Sequence, residues 1–177
     1  MYRPLNQYKA TNIVPTAMDN KWRMQVLQGY VHDESAALMG GVAGNAGLFS
    51  NAEDLAIVYQ MLLNGGEYGN QRYLAESTIE YFTKKQRGSR RGLGFDKPRK
   101  TKSPSYSSKA SKASYGHTGF TGTSVWVDPD EELIFIFLSN RVYPNPNNKR
   151  LFRYKTRKRI HDIVYKAFDT FEFEWPE

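Results

Sequence analysis

The run Leu133-Ile134-Phe135-Ile136-Phe137-Leu138 constrains the fold of this chain more than any other stretch. Six consecutive apolar residues leave no polar side to present to water, so a strand built from them must be covered on both faces. That predicts a central strand with helices above and below it. Upstream, Thr121–Val127 reads as its antiparallel partner, with Asp128-Pro129-Asp130 as the turn, where proline presets φ. The odd feature lies before this hairpin. His117-Thr118-Gly119, flanked by Gly116 and Phe120, opens a core strand with an imidazole, a hydroxyl and a residue without a side chain. Such a triplet is either a bland turn or one wall of a site.

A strand covered on both faces needs helices, and the sequence supplies them. Ser50-Asn51-Ala52-Glu53 has the form of a capping box. Leu55, Val58, Tyr59, Leu62 and Leu63 follow at helical spacing, and Asn64-Gly65-Gly66 ends the helix. A second amphipathic helix is expected over 75–85, with Ile79 and Phe82 inward. Near the C-terminus Ile160, Ile163, Val164, Ala167 and Phe168 line one helical face. Residues 1–38 read as irregular, with Pro4 and Pro15 as breakers and Trp22 as an apolar anchor. Gly92-Leu93-Gly94-Phe95 reads as a short strand, and Lys97–Ser114 as a mobile Lys/Ser-rich loop. The expectation is α+β: about three antiparallel strands, with the C-terminal helix on one face and the 51–85 helices on the other. One domain spans 1–177, and its unpaired sheet edge invites dimerisation or repair by the 1–38 segment.

Composition agrees with a folded globule. Of 177 residues 40% are hydrophobic and 14% aromatic, which is enough apolar surface to form a core. No apolar run approaches the roughly 20 residues needed to cross a bilayer. Met1-Tyr2-Arg3-Pro4-Leu5 lacks the apolar stretch of a secretion signal, so no membrane span and no export signal are expected in this chain. Without cysteine there are no disulfides and no thiolate metal sites. The net charge of +7 is concentrated in two runs: eleven Lys/Arg against Asp96 between Lys84 and Lys112, and seven basic residues from Lys149 to Arg159. No helix-turn-helix, RNP-type or zinc-finger pattern accompanies them, so solvated faces are expected and no nucleic-acid partner.

Three histidines are candidates for chemistry. His161, between Arg159 and Asp162 in the last helix, reads as an ordinary surface residue. His32, in Val31-His32-Asp33-Glu34, has no second or third ligand at metal-binding spacing, so a structural loop is expected, and no metal or cofactor. The glycine-dense stretch Gly40-Gly41-Val42-Ala43-Gly44-Asn45-Ala46-Gly47 lacks the Lys-Ser/Thr pair of a phosphate-cradling loop. Only His117 has company that suggests a site.

Taken in order, these residues resemble the C-terminal half of the serine β-lactamase-like hydrolases, which include class C β-lactamases, DD-peptidases and related esterases. Gly116-His117-Thr118-Gly119-Phe120-Thr121-Gly122-Thr123, the apolar return strand and Leu138-Ser139-Asn140-Arg141 carry the likeness. So do Gly40–Gly44, Ala46-Gly47-Leu48-Phe49-Ser50, Asp54-Leu55-Ala56, Gly65-Gly66, Tyr68-Gly69, Arg72, Leu74 and Gly92-Leu93-Gly94-Phe95. The likeness is greatest to the β-lactamase-like domain carried behind a family 3 glycoside hydrolase in Bacteroidetes envelope proteins, except that Asn45 stands where histidine is expected.

The resemblance implies a transpeptidase-type, penicillin-binding-protein-like fold and three catalytic motifs: Ser-x-x-Lys, Tyr/Ser-x-Asn, and Lys/His-Thr/Ser-Gly. His117, Thr118 and Gly119 match the third, His117 meeting a substrate carboxylate or tuning the proton relay, Thr118 hydrogen-bonding substrate and Gly119 giving it room. The N–H of Phe120 is implied as an oxyanion-hole donor, worth a few kcal/mol in acyl transfer. None of the thirteen lysines has serine three residues before it, so the first motif is absent. Tyr68-Gly69-Asn70 spells the second but falls after the capped helix, so it reads as a turn. Ser124 and Ser139 have no lysine or histidine at a telling spacing.

The expectation is the C-terminal portion of a serine hydrolase that lacks its nucleophile region. It would be inactive alone, and its parent would act in the periplasm or cell envelope on a small-molecule or peptidoglycan-like substrate. The alternative is a non-catalytic binding module of the same fold that holds anionic or cell-wall ligands.

Overall fold

The computed structural model describes residues 1–99 and 105–170. Its principal sheet has three antiparallel strands in sequence order, β5 (Tyr115–Thr118), β6 (Ser124–Asp128) and β7 (Leu133–Phe137). The two smaller sheets are hairpins, β1 (Pro15–Asp19) with β2 (Gln25–Gln28), and β3 (Glu67–Tyr68) with β4 (Gln71–Arg72). The helices of a turn or more are α1 (Glu34–Leu38), α2 (Ala52–Leu63), α3 (Glu76–Thr83), α4 (Arg150–Arg153) and α5 (Thr156–Thr170). The mixed helix and antiparallel-sheet class is the one expected.

The sheet order corrects one expectation. The apolar run β7 is an edge, and the central strand is β6, buried at every residue. Coverage by helices explains how an edge can be apolar on both faces. Phe135 stacks on His161 of α5 at 4.1 Å, while the alternate residues Ile134 and Ile136 face the other way, and α2 packs on this strand. Tyr106, Trp126 and Phe135 form the main core, with the Tyr106 and Trp126 rings 4.3 Å apart.

Tyr106 belongs to the stretch expected to be a mobile loop. Its residues 105–114 are instead fastened to the fold, and those at 100–104 lie outside the described residues. Ser107 donates from Oγ to Asp162 at 2.7 Å, and the Ser111 N–H donates to Asp128 at 2.8 Å. Lys97, nearly buried, donates to the Ala113 carbonyl at 2.6 Å, and burial lowers its pKa.

Local chemistry moved several other boundaries. Asn51, not Ser50, caps α2 by accepting the Asp54 N–H at 2.8 Å, so the cap sits one residue later than read. Ile79 is buried in α3 as expected, but Phe82 is exposed. Residues 92–95 form no strand; isolated bridges join Arg91 to Asp96 and Asp96 to Gly116. Residues 1–38 are not irregular throughout, because Ala17 and Leu27 close a small second core with Val142. Trp22 lies at the tip of that hairpin, about half exposed, outside the buried core. The segment pairs with itself and not with β7, so it does not repair the sheet edge. Tyr68-Gly69-Asn70 is a hairpin turn, as read: Gly69 and Asn70 have φ of 59° and 61°, the double positive φ of a two-residue type I′ connection.

Candidate active site

His117 and Thr118 are the last two residues of β5, opposite Val125 and Ser124 of β6, and the triplet leaves the sheet there. The corner beyond it is tight. Gly119 donates to the Thr123 carbonyl at 2.8 Å and its own carbonyl accepts the Gly122 N–H at 3.1 Å. A Cβ at 119 would meet Thr123 Oγ1 at 2.3 Å, so the turn itself calls for glycine there. His117 and Phe120 are exposed, Thr118 and Gly119 half-buried. The Phe120 N–H has no acceptor among the described residues.

The imidazole of His117 is held at both nitrogens. Its Nδ1 lies 2.9 Å from the Thr118 carbonyl, which can only accept, so Nδ1 carries the proton. Its Nε2 lies 2.5 Å from Arg91 Nη2, which can only donate. The neutral Nδ1–H tautomer follows. Arg91 is in turn held by Asp96, Nε to Oδ1 at 3.2 Å. Asp96 is hooked to the outer side of β5 by two backbone bonds with Gly116, at 2.7 and 3.1 Å. A carboxylate, a guanidinium and an imidazole thus stand in line beside the triplet. Arg91 keeps N–H groups facing solvent, its side chain being 45% exposed.

His32 also reaches this corner. Its ring stacks on Phe120 with centroids 5.3 Å apart and planes within 15°. Burial and the neighbouring Arg23 charge lower its pKa. The loop before α1 therefore packs against the corner, where His32 makes a ring contact. The Arg141 guanidinium packs over the Phe120 ring at 4.7 Å. Neither Arg91 nor His32 is signalled by sequence spacing. Arg91 lies 26 residues before His117, and the Arg91–Asp96 and Asp96–Gly116 bridges bring it there.

The glycine-dense stretch faces elsewhere. Gly40 accepts from Arg3 Nε at 2.7 Å, and Phe49 exchanges hydrogen bonds with Met1 at 2.6 and 2.9 Å. Gly40 and Gly41 line a cavity of about 450 Å³ with Arg3, Leu5, Trp22 and Tyr30, and the triplet is not part of that lining. The described part of the lysine-rich stretch lies at the opposite end of β5, around Tyr115 and Asp128. The cation beside the triplet is Arg91.

No serine in this region is equipped as a nucleophile. Ser124 is buried with its hydroxyl unpartnered, and Ser139 donates to the Gly122 carbonyl at 3.0 Å. His161, read as a surface residue, is 1% exposed and lies inside the fold. Its Nδ1 accepts the Ser107 N–H at 3.2 Å, and burial lowers its pKa to about 4. The residues that turn inward from α5 are Arg157, His161 and Tyr165, four apart, while Ile160, Ile163 and Phe168 are exposed. Of the expected inward face, Val164 packs against the main core, but Ile160, Ile163 and Phe168 do not turn inward.

With this geometry in place, the sequence matches the β-lactamase family model over residues 2–158. The chain belongs to the β-lactamase family. Proteins named D-alanyl-D-alanine carboxypeptidase from Salmonella gallinarum and Salmonella paratyphi B are each 39% identical to it over 132 residues. Those alignments cover 73% of this chain and 31% of each relative, so the chain spans about a third of their length. A β-lactamase structure from Mycobacterium bovis superposes with a TM-score of 0.50 at 26% identity, covering 70% of this chain and 46% of that one. Among the described residues no helix is long and apolar enough to cross a membrane, and no cluster of metal-binding side chains occurs.

Proposed function

We propose that this chain forms the third-motif wall of a serine-type acyl-transfer cleft, whose nucleophile and base come from polypeptide outside its 177 residues. The observation that carries the reading is the corner at 117–120. There a neutral imidazole, a hydroxyl and an unpaired backbone N–H stand together beside a half-exposed arginine. In this reading the Phe120 N–H stabilises the developing oxyanion and Thr118 hydrogen-bonds the substrate. Both His117 nitrogens are engaged, so Arg91 meets a substrate carboxylate and His117 orients Arg91. A peptide ending in D-alanyl-D-alanine fits that requirement, since it offers a terminal carboxylate beside the scissile bond. The relatives' names point the same way, and with them to the cell envelope. The narrower likeness to the domain behind family 3 glycoside hydrolases belongs to this proposal too.

Alone, the chain is inactive in this reading, because no lysine is preceded by serine at the required spacing. It should not hydrolyse nitrocefin or p-nitrophenyl acetate above background. No serine should take up a fluorescent penicillin or a fluorophosphonate, and stoichiometric labelling of any serine would overturn the reading. The same absence favours a second reading, a binding module that holds carboxylate ligands without turning them over. Reading the DNA upstream of Met1 separates the two: an in-frame Ser-x-x-Lys supports the enzyme. The edge of β7, which has no strand partner among the described residues, is a route to a homodimer in either case, which sedimentation would test.

A further inference from the structure

The basic run at 149–159 contains an arrangement that acyl transfer does not use. Arg157, in the first turn of α5, is 3% exposed, and its guanidinium packs over the Phe152 ring at 5.5 Å. Arg141 packs over the same ring at 4.8 Å and over Phe120 at 4.7 Å. Two cations share one phenyl ring. Arg141 Nη1 donates to the carbonyls of Pro146 and Asn148, both at 3.1 Å. The Nε atoms of both arginines are buried and have no partner among the described residues.

Among the described residues no acid pairs with either of them. Asp162, on the same helix, is taken by Lys158 at 2.5 Å and Ser107 at 2.7 Å. Burial lowers the pKa of both arginines, and Arg141 lowers that of Arg157 further. Setting a buried and a half-buried guanidinium side by side without a counter-charge is costly, and a buried N–H without an acceptor adds to the cost. The positive end of a 15-residue helix lies at the same place. Everything at this junction calls for negative charge.

We propose that Arg141 and Arg157 together receive an oxyanion, a phosphate or carboxylate group, at the junction of α4 and α5. Guanidinium groups suit this ligand because their planar N–H edges match two oxygens at once. The site stands apart from acyl transfer and holds whether or not the chain takes part in it. It is also linked to the triplet. Arg141 touches Phe120 directly, so filling the site should be felt at the Phe120 amide.

The test is a titration of the free chain with inorganic phosphate at constant ionic strength, read at the arginine Nε–Hε and backbone amide signals. Saturable shifts are expected at Arg141 and Arg157 Hε and at the Phe120 amide. Arg157→Met should weaken binding at least about tenfold and abolish the response at Arg141, because one of the two forks is gone. Arg153→Met, exposed on the same run, should titrate like the wild type. If methionine at 157 unfolds the chain, Arg157→Lys keeps the charge, removes the planar fork and should show the same loss. A parallel titration with acetate separates the two chemistries: tighter phosphate binding assigns a dianion, tighter acetate binding a carboxylate. Shifts that rise linearly without saturating, equal titrations of wild type and Arg157 variants, or an Arg153 effect as large as that at 157 would each overturn the proposal.

Discussion

The two ends of the three-stranded sheet are built on opposite terms. At the Tyr115–Asp128 end, Asp128 is 2% exposed and surrounded by donors: the Ser111 N–H at 2.8 Å, the Tyr165 hydroxyl at 2.5 Å and the Asp130 N–H at 3.3 Å. Burial alone would raise its pKa, but hydrogen bonds from Ser111, Tyr165 and Ser114 outweigh it and the net shift is downward. Burial raises Tyr115 to about 12, and Tyr165 is also raised, by burial and by Asp128. At the Thr118–Ser124 end the strand runs into solvent, the Phe120 N–H is unpaired, and Phe120 is 62% exposed. One end ties its carboxylate into the fold, and the other leaves the Phe120 N–H without a partner among the described residues. The comparison shows where stability and binding should separate under mutation.

The largest effect should come from the core behind the closed end. Trp126 is 2% exposed between Tyr106 and Phe135, and Trp126→Ala should cost about 3–5 kcal/mol. That is much of the roughly 5–15 kcal/mol that holds a domain together, so urea denaturation should show a folded fraction that is severely reduced or lost. Phe120→Ala at the open end should change stability by less than about 1 kcal/mol.

Next in size is a pH effect from His161. Its pKa is about 4 in the fold against an ordinary 6.5, because burial disfavours the charged ring. Between those values the unfolded chain binds a proton that the folded chain does not. The His161 contribution to stability is therefore full above pH 6.5, falls as pH drops, and is gone below pH 4, a loss on the order of 3 kcal/mol to which protonation of Asp128 adds at the acid end. Urea midpoints across this window should show the slope, and His161→Phe should flatten it while keeping the stack on Phe135. A wild type with no slope there would mean that the ring is not buried neutral.

A third, smaller effect isolates the Asp128 cluster. Tyr165→Phe removes one hydrogen bond to a buried carboxylate and should cost about 1.5–3 kcal/mol. The loss should appear chiefly in protection of amides at 107–114, which Asp128 and α5 fasten, and little at 117–123. Equal loss of protection at both ends would show that they open as one unit.

These residues also mark what the sequence could and could not tell. The strands β6 and β7, the helix α2, the turn at Gly69-Asn70 and the triplet were legible because periodicity and glycine placement are local signals. The inward face of α5 was not. Ile160, Ile163 and Phe168 repeat like a core face, but Arg157, His161 and Tyr165 are the residues that bury, since each has an apolar body and a polar tip. The β1–β2 hairpin was missed because its strands are five and four residues long and bury mainly one residue each, Ala17 and Leu27. At the corner, His117, Thr118, Gly119 and Phe120 are contiguous, so the chain itself shows them together. Arg91 and His32 could not, since tertiary contacts alone place them there.

The smallest effect on stability should accompany the largest effect on binding. Thr118 is half-buried at a strand end, so Thr118→Val should shift stability by no more than about 0.5 kcal/mol. Arg91→Gln should be similarly mild, because the Arg91–Asp96 pair is partly exposed and such pairs contribute about 0–1 kcal/mol. Both changes strike groups proposed to face a substrate carboxylate. An NMR titration with N-acetyl-D-alanyl-D-alanine should give saturable shifts at 117–120 in the wild type that weaken as salt rises. Thr118→Val should remove most of that response. Arg91→Gln should remove it and also release His117 Nε2, so the imidazole signals lose the pattern of a fixed Nδ1–H tautomer. If the corner is only a turn, Arg91→Gln still alters the tautomer but the ligand titration does not change. That result would leave the contrast between the two ends of the sheet as one of packing alone.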